Sequence, residues 1–294
     1  MEYHPKTKKH YIHVIEPVPT FLDVLGSYRR LSQKCKWMSV IHQERYKEHF
    51  AEYDKADNVI ILWHDQEIPK TRKAKIVIHY SEMVGKIETF DCQRTMLNKF
   101  INRINNYDAI LVHSLMAKDY LKKYKQEVEY IPIGYDHKIY GKPNFEVKKE
   151  YDLLFYGSPV GRRIEVINYL KDHFRDRLHT TSLFGEKRQE ILNKSRINLM
   201  IPWSKNCSLT SMRLIQSIGS SAAFLTEKHD TYPAIANEHY IEITDFDNKS
   251  KSIDEIEQAL KQDVSKIAAK AHADLSKVTT LRCMDMLINY LASI

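Results

Sequence analysis

Short apolar runs alternate with amphipathic segments along the first half of the chain. Five runs rich in valine, isoleucine and leucine contain few polar residues and lie at 11–15, 58–63, 75–80, 109–112 and 128–132. Such runs are typical of strands buried on both faces of a parallel sheet. Stretches with helical periodicity separate them, at 21–31, 44–53, 94–104 and 114–124. The alternation predicts a doubly wound α/β lobe.

The alternation restarts after residues 135–150, which contain Gly141, Pro143 and a charged run and are predicted to be a linker. Strands are predicted at 151–156, 181–184, 196–201, 222–226 and 240–243, and helices at 162–170, 213–218, 253–260 and 264–291. We therefore predict an α/β protein with two facing Rossmann-like lobes, at 1–140 and 150–275, and a closing helix at 276–294. A ligand is expected in the cleft between the lobes, at the carboxyl ends of the strands.

Composition favours a packed protein that handles anions. The 294 residues are 43% hydrophobic and 28% charged, as in ordinary globular chains. No stretch approaches the roughly 18 apolar residues of a membrane span, and the N-terminus lacks the apolar core of a signal peptide. Cys35, Cys92, Cys207 and Cys283 are scattered, so we expect reduced thiols in a cytoplasmic protein. The net charge of +7 favours nucleotides or nucleic acid as partners.

One candidate site lies where the strand at 151–156 ends. The strand runs into Gly157 and Ser158, and a helix is predicted to begin near Arg162 and Arg163. Backbone N–H groups at a helix start bind anions, and guanidinium groups add bidentate contacts to phosphate. The same pattern is compatible with a plain strand-turn-helix whose arginines face solvent. The chain contains no P-loop motif, which counts against a nucleoside triphosphatase.

A second candidate site surrounds the helix at 213–218. Thr210 and Ser211 precede it, and hydroxyl groups there suit both helix capping and phosphate contact. Arg213 and Gln216 lie one turn apart, so both can point at one ligand, and Gly219 ends the helix. An ordinary capped helix would give the same local pattern.

The order of these segments is similar to that of a known family. The runs DLLFYGS, LFGE, ILNKSRINLMI and TSMRLIQSIGSSAAFLTE, with the closing LRCMDMLINYL, resemble the C-terminal half of GT-B glycosyltransferases. Within that family, the chain most resembles the group that includes the spore-maturation CgeB-like proteins. The resemblance covers residues 107–291 as a set of anchor positions. It implies a nucleotide sugar held mainly by the second lobe as co-substrate, with no tightly bound cofactor and no metal.

The resemblance assigns roles at the first candidate site. Gly157 and Ser158 would approach the diphosphate or the sugar, and Arg162 or Arg163 would neutralise phosphate. These contacts would stabilise the charge that develops on a departing nucleoside diphosphate without a metal ion.

It assigns roles around the second site as well. Phe184 and Gly185 would flank the nucleoside, and Arg213 would contact the diphosphate beside Thr210 and Ser211. Gln216 departs from the pattern, because the family commonly has a glutamate there that accepts hydrogen bonds from ribose. The amide of Gln216 can still accept, but without charge.

The catalytic base is expected from the first lobe. His64 and Asp65 follow the strand at 58–63 and are the leading candidates, with His79, Glu82 and His113 behind them. The run Asp245-Phe246-Asp247 has the D-x-D spacing of a metal motif known from another glycosyltransferase fold, but its place before a helix favours a capping loop.

The acceptor has weaker signals. A basic run contains Lys70, Arg72, Lys73 and Lys75, and aromatic residues lie near it in sequence, so it is compatible with a double-stranded DNA surface or with an ordinary solvated face. A small basic glycosyltransferase also resembles phage enzymes that glycosylate hydroxymethylated pyrimidines in DNA. Three hypotheses follow: transfer to such DNA, transfer to a glycan, lipid-linked or protein acceptor, and non-catalytic binding of a nucleotide sugar or nucleic acid.

Overall fold

The protein is described here from a computed structural model. It describes residues 11–16, 28–29, 32–33, 37–63, 66, 72–80, 91–183, 185–202, 211–227 and 239–294. The chain divides into two compact units. The first comprises Met1–Glu82, Cys92–Ile133 and Thr280–Ile294, and the second comprises Met83–Asp91 and Gly134–Thr279.

The first unit is built on a six-stranded parallel sheet of order β2-β1-β3-β4-β5-β6. The strands are β1 Tyr11–Glu16, β2 Met38–His42, β3 Asn58–Trp63, β4 Lys75–Tyr80, β5 Ala109–Val112 and β6 Val128–Tyr130. Helices α1 Gln43–Glu48, α2 Phe50–Tyr53, α3 Asp91–Arg103 and α4 Leu115–Leu121 connect them. All six residues of β3 are buried, which explains its unbroken apolar run.

The second unit is built on a five-stranded parallel sheet of order β11-β10-β9-β7-β8. Its strands are β7 Tyr151–Tyr156, β8 Leu178–Thr181, β9 Ser195–Met200, β10 Ala223–Glu227 and β11 Ile241–Ile243. Its helices are α5 His137–Tyr140, α6 Arg162–Phe174, α7 Gly185–Asn193, α8 Ser211–Ile218, α9 Lys249–Leu260 and α10 Val264–Leu275. The strand order reverses between β7 and β9, and ligands of open α/β sheets bind beside such a reversal.

Alternate residues of β7 face opposite sides of this sheet. Leu153 and Phe155 pack with Val166 of α6 in the main core. Leu154 and Tyr156 pack with Leu192 of α7 on the other side. The end of β7 therefore presents Tyr156 to α7, while α6 begins on the opposite face.

The prediction of an α/β fold with parallel strands in both halves is confirmed. Strand β2 was not predicted; it lies at the sheet edge and is only partly buried, so its sequence lacks an unbroken apolar run. The single helix predicted at 264–291 is two helices, α10 and α11 Thr280–Ser293. Between them, the carbonyl of Val278 accepts a hydrogen bond from the N–H of Tyr135 at 2.8 Å. None of the helices within the described ranges is long and apolar enough to cross a membrane.

Candidate functional site

The turn after β7 has a backbone that favours glycine at both ends. Gly157 has φ +107° and Gly161 has φ +58°, values that L side chains rarely adopt. The N–H of Gly157 donates to the carbonyl of Thr181 at 2.9 Å, which ties the turn to the end of β8. Ser158 is exposed, and Gly161 is the residue before α6. The turn therefore presents its backbone at the carboxyl edge of the sheet, where the sequence predicted it.

Arg213 of α8 lies directly behind this turn. Its Nη1 donates to the carbonyl of Tyr156 at 3.0 Å. A Cβ at Gly157 would lie 2.9 Å from Cζ of Arg213 and closer still to Nη2. Position 157 therefore favours glycine because of its φ, and a Cβ there would displace the guanidinium packed against it.

The Tyr156 side chain connects three elements around Arg213. Its hydroxyl donates to the carbonyl of Arg213 at 2.9 Å and lies 3.2 Å from Oγ of Ser217. The guanidinium carbons of Arg213 and Arg188 lie 5.5 and 6.0 Å from the centroid of its ring. Arg188 belongs to α7 and is only 6% exposed. The sequence did not single it out, because its helix consists mainly of charged and polar residues.

The environment of Arg213 favours an anionic ligand. Burial lowers the pKa of Arg213, and the like charge of Arg188 lowers it further, against an opposing effect of Tyr156. Within the described ranges Arg213 forms no ion pair with a carboxylate. A partly buried guanidinium that is hydrogen-bonded to a neutral carbonyl is stabilised when an anion binds to it.

Arg162 is bound within the protein. It forms a bidentate pair with Glu227, with Nη1 to Oε2 at 2.8 Å, and its Nε pairs with Asp247. Asp245 Oδ1 lies 3.3 Å from Nη2. Burial alone would lower the pKa of Arg162, but hydrogen bonds with Glu227 and Asp247 raise it above its ordinary value. One cation therefore faces three carboxylates, and we call these four residues the Arg162 network.

The segment that begins at Asp245 caps the following helix and pairs with Arg162. Asp245 and Asp247 belong to the Arg162 network, and the side chain of Asn248 accepts the N–H of Lys251 at the start of α9. The N–H of Phe246 donates to Glu227 at 2.7 Å. No group of three metal-ligating side chains with suitable geometry occurs within the described residues.

Arg163 supports the turn from inside. It is 1% exposed, and its Nε donates to the carbonyl of Ile201 at 2.7 Å. Nη1 lies 3.4 Å from the carbonyl of Ser158. Arg163 thus joins the turn after β7 to the end of β9.

The remaining predicted donor residues are placed as follows. Gly185 begins α7 with φ +62° and is exposed. Gln216 is buried in α8, and the backbone of Ser211 begins that helix. Phe184 and Thr210 lie outside the described residues.

In the first unit, His64, Asp65 and Glu82 lie outside the described residues. His79 and His113 form a pair through their Nε2 atoms, and Nδ1 of His113 lies 2.6 Å from the carbonyl of Ile131. A carbonyl only accepts, so this Nδ1 carries a proton.

The charge state of the pair fixes its remaining protons. Burial lowers the pKa of His113 to about 4, although the hydrogen bond to Ile131 opposes the shift. Neutral His113 then accepts at Nε2, so His79 donates from its own Nε2. His79 has no exposed surface, and its ring lies 4.4 Å from that of Trp63. Both ring nitrogens of His113 are therefore engaged inside the unit.

Two members of the predicted basic run are bound within the first unit. Arg72 pairs with Asp108 and donates to the carbonyls of Ala74 and Asn106, each at 3.0 Å. Lys75 Nζ donates to the carbonyl of Ile294. Lys73 is exposed, and Lys70 lies outside the described residues.

Known structures share this fold. No protein-family model and no curated protein matches the sequence. HepE from Anabaena in complex with UDP and glucose superposes with a TM-score of 0.68 at 10% identity, covering 96% of this chain and 99% of HepE. TarM superposes with a TM-score of 0.61 at 12% identity, covering 83% of this chain and 57% of TarM. The chain thus spans little more than half of TarM.

A third structure extends the comparison. A UDP-forming trehalose-phosphate synthase from Burkholderia xenovorans superposes with a TM-score of 0.60 at 8% identity, covering 96% of this chain and 98% of that one. These neighbours are GT-B glycosyltransferases. The chain has the GT-B fold, as the sequence resemblance implied.

Proposed function

We propose that the protein is a glycosyltransferase that moves a sugar from a nucleotide sugar, a UDP-linked one, to an acceptor hydroxyl. One observation carries the proposal: in a GT-B fold, the glycine turn after β7 is backed by Arg213, which within the described residues is paired with no carboxylate. HepE and the trehalose-phosphate synthase, which cover nearly the whole chain, are described with UDP or as UDP-forming.

The chemistry asks for a fixed cation at this place. The bond between the anomeric carbon and the phosphate oxygen breaks, a bond to the acceptor oxygen forms, and the acceptor proton passes to a base. The nucleoside diphosphate leaves with increased negative charge, which Arg213 would stabilise without reorganisation. The turn backbone at Gly157 and Ser158 would approach the same group.

The Arg162 network and Arg163 serve this site indirectly. Because Arg162 is compensated by three carboxylates, we assign it to holding the start of α6 rather than to phosphate. Because Arg163 is bonded to two carbonyls, we assign it to fixing the turn. In the proposed site, Gln216 would accept a hydrogen bond from ribose, and Phe184 and Gly185 would flank the nucleoside.

The base remains assigned to His64 or Asp65. These residues follow β3, which lies beside the reversal of strand order between β1 and β3. The alternatives His79 and His113 are less suitable, because His79 has no exposed surface and both ring nitrogens of His113 are engaged by His79 and Ile131.

Two classes of acceptor are compatible with the proposed reaction. A hydroxymethylated pyrimidine in phage DNA is supported by the charge of +7 and by exposed Lys73, but not by Arg72 and Lys75, whose charges are used internally. Such an acceptor would need the base flipped out of the duplex. A glycan acceptor is supported by a TarM structure in complex with fondaparinux and α-GlcNAc-glycerol. Retention on duplex DNA that falls steeply with salt favours the first, and no retention at low salt refutes it.

Release of UDP tests the proposal. The protein is incubated with UDP-glucose or UDP-GlcNAc and a panel of acceptors, and free UDP is measured. Arg213→Gln should lower UDP release by about tenfold to hundredfold, the value of one charge-assisted hydrogen bond. Lys171→Gln, at an exposed position of α6, is the matched control and should behave as wild type. Equal release by wild type and Arg213→Gln would refute this assignment of the diphosphate.

A further inference from the structure

Arg188 is a buried cation at the same sheet edge as Arg213. It is 6% exposed, and its guanidinium carbon lies 6.0 Å from the centroid of the Tyr156 ring. Arg213 lies 5.5 Å from the same centroid. Because the two arginines come from different helices, α7 and α8, their approach to one aromatic ring is a product of the tertiary fold.

We propose that Arg188 and Arg213 together form one site for a diphosphate group, in which the two guanidinium groups take different phosphoryl groups and the Tyr156 ring supports both. The inference deepens the proposed function and rests on it for the identity of the natural ligand. It adds Arg188 as a specificity-determining residue that selects two linked phosphoryl groups over one.

Charge and geometry support two phosphoryl groups. Like charges held close together away from water repel, and the repulsion is stronger than in bulk solvent. A diphosphate spreads its oxygens over two phosphorus atoms, so each guanidinium group can pair with a different phosphoryl group. The effect of Arg188 on the titration of Arg213 agrees with the closeness of the two charges.

The side chains at the end of β7 divide between the two faces of the sheet. The Arg162 network lies at the start of α6, and α6 packs on the face of β7 that carries Phe155. There Glu227, Asp245 and Asp247 pair with the guanidinium of Arg162. Tyr156, whose ring both arginines approach, belongs to the other face.

Inorganic pyrophosphate and orthophosphate are the probes, measured by calorimetry on the full chain at constant ionic strength. Arg188→Gln should weaken pyrophosphate binding by about tenfold to hundredfold and change orthophosphate binding by less than about threefold. Lys187→Gln, which alters the exposed neighbour on the same helix, is the matched control and should bind both as wild type does. Arg188→Lys keeps the charge and should recover most of the pyrophosphate affinity, which distinguishes binding from a packing defect.

Each outcome decides the inference. Unchanged pyrophosphate binding in Arg188→Gln overturns it, as does an equal loss for both anions or a wild type that binds no pyrophosphate. If Arg188→Gln does not fold, Arg188→Lys decides alone: retained selectivity for pyrophosphate supports the inference, and selectivity lost from a folded variant overturns it. Arg188-dependent pyrophosphate binding without turnover of any nucleotide sugar would keep the site and refute the proposed function. Normal UDP release by Arg188→Gln would keep the proposed function and refute the role of Arg188 in the diphosphate site.

Discussion

Gly157→Ala separates backbone strain from damage to the ligand site. The new Cβ would occupy a backbone with φ +107° and would lie 2.9 Å from Cζ of Arg213. The strain costs about 1–3 kcal/mol of the free energy of unfolding. The collision moves the guanidinium away from the turn, so a second loss should appear in ligand binding.

The size of the second loss follows from what Arg213 is expected to do. One charge-assisted hydrogen bond to a phosphate oxygen contributes roughly 1.5–3 kcal/mol. UDP should therefore bind Gly157→Ala about tenfold to hundredfold more weakly than wild type. Calorimetry with UDP gives the affinity, and thermal unfolding gives the stability, with about 2–4 °C of Tm per kcal/mol for a unit of this size.

The chain offers a control glycine with a positive φ that packs against Gln189 instead of Arg213. Gly141 has φ +78°, and a Cβ there would lie 2.8 Å from Cδ of Gln189. Gly141→Ala should lose stability as Gly157→Ala does but keep wild-type affinity for UDP. If both variants lose stability equally and both bind UDP normally, the placement of Arg213 by Gly157 does not position the ligand, and the reasoning is refuted.

Three further predictions concern the two units separately. Arg162→Gln removes the cation that pairs with buried Glu227 and should lower the free energy of unfolding by about 3–5 kcal/mol in urea titrations; a loss below 1 kcal/mol would contradict the network. Because the pKa of His113 is lowered to about 4, unfolded protein takes up a proton between pH 6.5 and 4 that the folded protein does not. Stability should be full above pH 6.5 and fall as the pH decreases, by at most about 1.4 kcal/mol per pH unit, and His113→Gln should flatten the curve; identical slopes would contradict this. Arg72→Gln should lower the Tm more than Lys73→Gln, since Arg72 pairs with Asp108 and Lys73 is exposed, and equal shifts would count against the internal role of Arg72.

The sequence predicted the fold well where burial is complete. Strands such as β3 are enclosed on both faces, so their apolar runs are continuous and visible without a structure. The edge strand β2 is partly exposed and carries a mixed pattern that no periodicity resolves. Glycine positions in the site were also predictable, because a strand that ends in Gly157 signals a backbone that other residues avoid.

Partners distant in sequence were not predictable. Arg162 was expected to bind phosphate, but Glu227, its main partner, is 65 residues away, and nothing local announces it. Arg188 lies among charged residues that suggest a solvated helix, yet it is buried where α7 packs against β7. Local patterns describe which residues carry charge, while the pairing of those charges depends on tertiary contacts.

Helix α11 has a consequence for the order in which the protein forms. It follows the whole second unit in the chain, yet it belongs to the first. Its buried face includes Leu287, Ile288 and Leu291. During synthesis, the sheet of the first unit therefore emerges from the ribosome early but waits for its last packing element until the second unit has been made. The unit translated first is the one completed last, so a chain stopped before Thr280 would leave an apolar surface of the first unit uncovered.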